Sequence, residues 1–393
     1  MVRVSFPDKI IIICLFFAAS VSLLSDSLNK IALYVALPCA FMLSFLKCRK
    51  VSPNNYVMLL FLLFAWDFLS SLWAVYPDSA SRELHRVLGS ILLVYIIGVN
   101  AYKKNLIRYI YIAFIILYIG AWIYASQQSL ITSEIVGGQD RLNDSKLNAN
   151  TMAYYTYYST FALYVLSNLT KSDFWRKVYN YLFIAMVPLS FYVALVTASR
   201  QVLIIQVPLM AFLLIERYYM RANHTKRVLF IALCFIAILL VTPYVIEIFN
   251  NSFLATRSQK AIEEDARWFL LMDAINIGIQ HFPFGVGAGN YIDYSYSAHF
   301  SHCSYTELFA NNGIVGLLLY VVLLIKFVKI QWKRFTSTKD RQFIIFLIFG
   351  LIFIFDQVFY VFYTDLWLIS FFVLVATHSD KYYQENIEKL KQQ

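Results

Sequence analysis

Runs of about 20 apolar residues, each long enough to cross a hydrocarbon core of about 30 Å as a helix, recur along the whole of this 393-residue chain. They stand near 10–24, 31–46, 56–75, 87–101, 106–125 and 151–169, then near 179–198, 202–215, 228–249, 305–325, 342–358 and 366–376. The chain is 60% hydrophobic and 14% charged, more apolar surface than a soluble domain of this length needs. The expected fold class is all-α, a polytopic integral membrane helical bundle of about 12 transmembrane helices. No internal repeat, low-complexity tract or Pro/Gly-rich linker divides it, so 1–393 reads as a single integral membrane domain. Ala18, Ala19 and Ser20 resemble the small residues that end a signal peptide, but similar stretches come directly after, and the first run is read as a retained helix.

Lysine and arginine orient such a bundle, because basic residues stay on the cytoplasmic side. One set of alternate loops holds Lys47, Arg49 and Lys50, then Lys103, Lys104 and Arg108, then Lys171, Arg176 and Lys177, then Arg217, Arg221, Lys226 and Arg227. The connection 326–341 and the tail after Lys381 carry most of the rest. Both termini are therefore expected in the cytoplasm. The net charge of +10 is accounted for by loops facing anionic lipid and implies no nucleic-acid partner. Of the five cysteines only Cys303 falls on the outward side, so no structural disulfide is expected there.

The outward loops are unequal, and 250–304 is the longest. Within it 260–280 has helical composition, with Trp268, Leu271, Met272, Ile275 and Ile279 spaced to form one apolar face, so a helix lying along the membrane surface is expected. Pro283 and the glycines of GVGAGN then break it. The stretch 267–316 is the long polar insert of the chain, and ionisable groups beside a bilayer are costly unless they have a task. Arg200, at the end of an apolar run, and Arg267, at the start of the surface helix, are each able to fork hydrogen bonds onto a diphosphate; interface anchoring by snorkelling is the alternative. His302 is a candidate general base, with Glu307 one turn further on; Ser304 and Glu307 also have the spacing of a capping box. A metal site built from Asp293, His299 and His302 lacks a Cys or carboxylate cluster to complete it. GVGAGN comes after a helix and lacks a subsequent Lys-Ser/Thr, which leaves close approach to substrate or a tight turn rather than a nucleotide loop. Asn148 and Asn150 sit where an outward loop re-enters the membrane, with helix capping as the plainer role.

In order along the chain stand Arg-Leu…Asn-Ala-Asn-Thr at 141–151, Thr-Ala-Ser-Arg at 197–200, Ala-Arg-Trp at 266–268, Pro-Phe-Gly-Val-Gly-Ala-Gly-Asn-Tyr at 283–291, and His-(x)4-Glu-Leu-(x)4-Gly-Ile-Val-Gly-Leu at 302–317. This series resembles the O-antigen polymerase and O-antigen ligase superfamily, most strongly over about 185–330. The resemblance implies a multi-pass glycosyltransferase of the bacterial inner membrane, acting on its periplasmic face on glycans carried by undecaprenyl diphosphate. Arg200 and Arg267 fall at the arginines taken to hold the lipid diphosphate, and His302 at the histidine taken to activate the acceptor. Asn150, Gly285, Gly287 and Glu307 complete the candidate substrate-binding set. The family has Asn directly after that histidine; here Cys303 stands in its place, with Ser304 next to it as the replacement donor.

The implied reaction transfers a glycan from the lipid diphosphate with inversion, without metal or other cofactor. Its partners are the lipid-linked donor, a lipid-linked or lipid A–core acceptor, membrane lipid and a regulator of chain length. A polymerase is favoured by the motif loop and by SHCSYTELFANNGIVGLLLY, whereas AWDFLSSLWAVYPDSASRELHR, with Asp67 inside a span, also resembles the ligases. A transporter of lipid-linked oligosaccharide is the alternative of a different class, opposed by the dissimilar halves of the chain and by buried-charge candidates limited chiefly to Asp67 and Asp356.

Overall fold

Backbone amides surrounded by lipid have no water to bond, so apolar stretches of this kind close their hydrogen bonds locally as helices. A computed structural model of the chain describes residues 4–47, 54–132, 147–197, 199, 205–250 and 266–392. It is 82% helix, with no strand among the described residues. The helices are α1 (Phe6–Val21), α2 (Asp26–Lys47), α3 (Asn55–Trp73), α4 (Pro77–Asn100), α5 (Ile107–Gln127), α6 (Ala149–Leu169) and α7 (Asp173–Thr197). They continue as α8 (Val207–Leu214, prolonged by a wider turn over Ile215–Met220), α9 (His224–Asn250), α10 (Ala266–Gln280), α11 (Ser304–Thr338), α12 (Arg341–Asp356) and α13 (Leu366–Gln392). Local chemistry starts several of them: Asn54 Oδ1 accepts from the N–H groups of Tyr56 and Val57, and Asp340 Oδ1 from that of Gln342. Pro77 opens α4, where its missing N–H costs nothing.

Among the described residues six helices, α2, α3, α4, α5, α7 and α11, are long and apolar enough to cross a membrane. The other apolar stretches differ for identifiable reasons. α1 and α12 have 16 residues each, and α13 runs from an apolar start into the charged segment after Lys381. α6 is rich in Tyr and Thr and is buried on all sides from Ala149 to Ser167, so protein rather than lipid surrounds it.

Two compact units make up the chain: 1–18, 30–110 and 261–393 form one, and 19–29 with 111–260 the other. In the second, α6 packs along α7. Thr156 and Thr160 return their hydroxyls to the carbonyls of Met152 and Thr156, and the Tyr164 hydroxyl donates to buried Glu216, which Arg221 pairs at 2.7 Å. In the first, α11 packs against α3, α10 and α12, and α4 against α2 and α13. Tyr56 is fully buried between the rings of Phe327 and Phe372, and Gly98 lets α4 meet Val57 where any side chain would collide. Near the C-terminal end of α11, Arg334 is held at 2.6 Å by Asp380 of α13.

The helix expected over 260–280 is described over Ala266–Gln280. Its buried side is Ala274, Ile277 and Gly278, the last packed on the Phe309 ring of α11, while Trp268, Met272 and Ile279 of the predicted apolar face are exposed.

α11 is not continuous. Gly313 has φ 64° and ψ −162°, a conformation essentially reserved for glycine, and it splits the helix after its third turn. Four of the backbone groups at the break find partners outside the helix. Ala310 and Asn311 carbonyls accept from the N–H groups of Val286 and Gly287, both at 2.8 Å; the Asn312 carbonyl accepts from Trp66 Nε1 at 2.8 Å; and Ile314 N–H donates to the Pro283 carbonyl at 2.9 Å. The segment 283–287 is thus docked into the break like a missing turn.

Substituting Gly313 tests this fit. A Cβ there would lie 2.0 Å from the Pro283 carbonyl oxygen, whereas one on Gly120 of α5 would meet nothing closer than 3.5 Å. Gly313→Ala is expected to lower the thermal stability of the detergent-purified protein by at least the ~1–3 kcal/mol of backbone strain. Gly120→Ala is expected to leave it unchanged or slightly raised; equal melting temperatures for the two variants would contradict a glycine-dependent break.

Candidate functional site

The loop that fills the break also gathers the polar groups of the first unit. Its glycines are positions where backbones touch. A Cβ on Gly285 would strike the carbonyls of Ala310 and Asn311, one on Gly287 would strike Ala74 and the Ser70 carbonyl, and one on Gly289 would strike Ser79 and Glu83. All three have positive φ. The N–H of Gly285 donates to the His281 carbonyl and that of Gly287 to Asn311, so both are committed within the protein. Asn290 then binds the α3–α4 connection through both ends of its amide, accepting from Tyr76 N–H at 2.7 Å and donating to the Tyr76 carbonyl at 3.0 Å. Asn311 accepts from Tyr291 N–H at 2.7 Å and donates to the Tyr363 hydroxyl at 3.3 Å. Asn312 donates to Asp67 Oδ1 at 2.6 Å and to Ser70 Oγ at 3.2 Å, which gives the buried carboxyl of α3 a place in the same assembly.

A strap over 300–303 leads from this loop into α11 and carries His302. The histidine is half-buried with φ 56°, a left-handed backbone uncommon for a residue with a side chain. Both its neighbours are buried and pinned. Ser301 N–H and Oγ donate to Glu307 Oε2 at 2.8 and 3.0 Å, and Cys303 N–H donates to Ser301 Oγ at 3.2 Å. The predicted capping box is therefore not formed. Glu307 reaches past the helix start to Ser301, because the turn at His302 brings the strap back over the first turn of α11. Ser304 faces away from that turn: its hydroxyl donates to the Tyr360 carbonyl at 2.9 Å and accepts from Phe362 N–H at 2.8 Å. Its single proton is engaged, so it is no substitute for the amide expected beside the histidine.

Arg86 of α4 stands against this strap. Its guanidinium lies 5.9 Å from the centre of the Phe300 ring and 3.7 Å from Glu83 Oε2, and it is within electrostatic reach of Glu83, Glu307 and Asp365. Asp365 caps α13 by accepting from Trp367 and Leu368 N–H groups, both at 3.0 Å. Burial pushes its carboxyl up, against the pull of those two N–H groups and of Arg86.

The fold brings some of the predicted residues together and separates others. His302 and Glu307 are joined through Ser301, and Gly285 and Gly287 lie in the break of the helix that carries Glu307. Arg267 is half-buried in the first turn of α10. Asn150 is buried in the first turn of α6, in the second unit, where the Asn148 side chain accepts from its N–H at 2.9 Å. Arg200 lies outside the described residues. Asp293 and His299 are both exposed, and among the described residues no three His, Cys, Asp or Glu side chains gather so as to hold a metal ion. Asn290, Ser301, Asn312 and Arg86 are not among the candidate site residues read from the sequence. The Asn-Asn-Gly run at 311–313 inside an apolar stretch was a legible break signal; the position of Arg86 beside 300–303 had none.

No curated protein matches this chain. Residues 184–321 match a family model described as O-antigen ligase. The matched segment contains Arg200, Arg267, the motif loop, His302 and Glu307, and it ends within α11. Together with helices long and apolar enough to cross a membrane, the match supports a membrane protein similar to the O-antigen polymerase and O-antigen ligase superfamily.

Proposed function

We propose that the protein is an inner-membrane glycosyltransferase that polymerises undecaprenyl-diphosphate-linked repeat units of O-antigen or another surface polysaccharide on the periplasmic face. The observation that carries this reading is the strap: a histidine held in a left-handed backbone, pinned on both sides through Ser301 and Glu307, inside the segment that matches the family. Strained residues persist where their surroundings over-determine them, and such places are disproportionately functional. The topology that accompanies it has α1–α9 and α11–α13 as crossings, both termini cytoplasmic and 250–304 periplasmic, supported by the Lys and Arg asymmetry of the loops.

In the reaction, a nitrogen of the His302 ring takes the proton of an acceptor sugar hydroxyl, and the oxygen attacks the anomeric carbon of the donor. The bond from that carbon to the diphosphate oxygen breaks, the configuration inverts, and undecaprenyl diphosphate leaves with the bonding pair. Arg200 and Arg267 neutralise the charge that develops on the diphosphate. Glu307 acts at one remove, holding the strap, and Gly285 and Gly287 shape the loop that packs against its helix; Asn150 is kept as a candidate substrate-binding residue. A partner that regulates chain length is compatible with this scheme. Ligation of finished polymer to lipid A–core is the second reading, favoured by the description of the matching family model. The donor and the groups that act on it are the same, and the acceptor differs.

A deletion strain complemented with His302→Ala tests the role of the base. The polysaccharide gel is expected to match that of the uncomplemented deletion, with the variant present in the membrane at normal level. Core carrying a single repeat indicates lost polymerisation, and bare core with polymer retained on the lipid carrier indicates lost ligation. A normal ladder from His302→Ala would remove the histidine from the mechanism.

Lysine keeps the charge of arginine and snorkels, but it does not fork two hydrogen bonds onto a diphosphate. Arg200→Lys and Arg267→Lys are therefore expected to insert normally and transfer about 10- to 150-fold more slowly, from about 1.5–3 kcal/mol lost in the transition state. Wild-type rates would leave that arginine as an interface anchor. Transfer by the purified enzyme is also expected to persist in excess EDTA, since arginines and not a divalent ion face the diphosphate; loss with EDTA and recovery with one divalent ion would overturn the clamp.

A further inference from the structure

Arg86 is a basic side chain in contact with the strap that carries His302, and among the described residues its hydrogen-bonding capacity is unused. Among the described residues its guanidinium makes no hydrogen bond; Glu83 Oε2, at 3.7 Å, is an ion-pair partner beyond hydrogen-bond length. The side chain is 52% exposed. Phe300, whose ring it flanks at 5.9 Å, is 39% exposed and lies two residues before His302. The backbone that carries the ring is anchored at the next residue, because Ser301 is bonded by both its N–H and its hydroxyl to Glu307. A partly exposed aromatic ring with a planar fork of five donors over one of its faces presents what a saccharide needs: an apolar surface on its exposed side for the C–H face of a pyranose and donors for its hydroxyl or carboxylate oxygens.

We propose that Arg86 and Phe300 form the binding wall for the acceptor saccharide, with Phe300 stacking on the sugar ring and Arg86 donating to its oxygens, so that the adjoining hydroxyl is presented to His302. This rests on the glycosyltransferase reading above and adds to it a residue from outside the segment that matches the family: Arg86 lies on α4, before residue 184, and contacts the strap only through the tertiary fold.

The test uses the full-length protein in native membranes and, as substrate, lipid-linked oligosaccharide extracted from the deletion strain. Arg86→Gln is expected to raise the apparent KM about tenfold, as for loss of a hydrogen bond from a charged donor, with a smaller change in kcat. Phe300→Leu is expected to raise it about 3- to 10-fold, and Phe300→Tyr, which restores the ring, to recover most of that loss. The double variant Arg86→Gln, Glu83→Gln separates binding from neutralisation. It is expected to remain as impaired as Arg86→Gln; recovery to the wild-type KM would mean that Arg86 serves only to balance Glu83, and would overturn the proposal. Should Arg86→Gln not accumulate in the membrane, Phe300→Leu decides, since a half-exposed ring is not needed for folding, and an unchanged KM for it refutes the wall. An extract lacking uronic acids distinguishes the oxygen partners: a persisting Arg86 effect assigns them as hydroxyls, and a vanished one as carboxylate. If wild-type membranes transfer nothing, the functional reading itself fails, an outcome distinct from wild-type transfer that the variants leave untouched.

Discussion

A helix that breaks inside a membrane protein exposes amide groups that hydrocarbon cannot satisfy, each at a cost of several kcal/mol. The break of α11 at Gly313 sets that constraint, and the rest of the first unit is arranged around meeting it. Val286, Gly287 and Trp66 donate to the freed carbonyls, and the Pro283 carbonyl accepts from Ile314. Because the donors come from one loop and from α3, meeting the constraint also brings α3, α10 and the two halves of α11 together. Irregular backbone at such a place is tolerated where it is enclosed by protein, which is why the loop has glycines at each close approach: a methyl group at 285, 287 or 289 would push backbones apart.

The candidate site depends on the same break. The first three turns of α11 form a short half-helix, bound at one end to the motif loop and at the other to the segment 360–362 through Ser304. Glu307, buried in that half-helix, has Ser301 as its partner and so pulls 301–303 into a tight strap. His302 occupies the turn of the strap at positive φ. Strain of ~1–3 kcal/mol is sustained there because the residues on both sides of His302 are fixed by hydrogen bonds, Ser301 to Glu307 and Cys303 to Ser301. The backbone that carries His302 is thus fixed by its neighbours on both sides, which is the positioning that the proposed general base requires.

Residue by residue, the sequence disclosed chemistry better than geometry. Hydropathy placed helices correctly because lipid and core impose the same local rule. His302 and Glu307 were identified together, but Ser304 and Glu307 share their spacing with a capping box, and only the left-handed turn at 302 redirects Glu307 to Ser301. GVGAGN was legible as a breaker, yet which backbones its glycines approach depends on α3, α4 and α11. The apolar stripe of α10 was legible as amphipathic, but the protein is met by the small residues Ala274 and Gly278, which allow close approach to Phe309, and the large side chains Trp268 and Ile279 are left outside.

What the sequence by itself determined is the class of molecule, a helical membrane protein, since helices close the amides of such apolar runs, while the arginine-and-histidine chemistry proposed for it rests on the order in which those side chains stand along the chain. The tertiary structure decided which groups share a site. Arg86 and Phe300 are more than two hundred residues apart in the chain and 5.9 Å apart in the fold, and Asp67 meets Asn312 only because α3 lies against the break of α11. Periodicity and composition report on neighbours within a helix, where the spacing is fixed by the backbone. Contacts between helices depend on where each one bends and on which residues are small enough to let another backbone in, and a single glycine at 313 settles that for this unit.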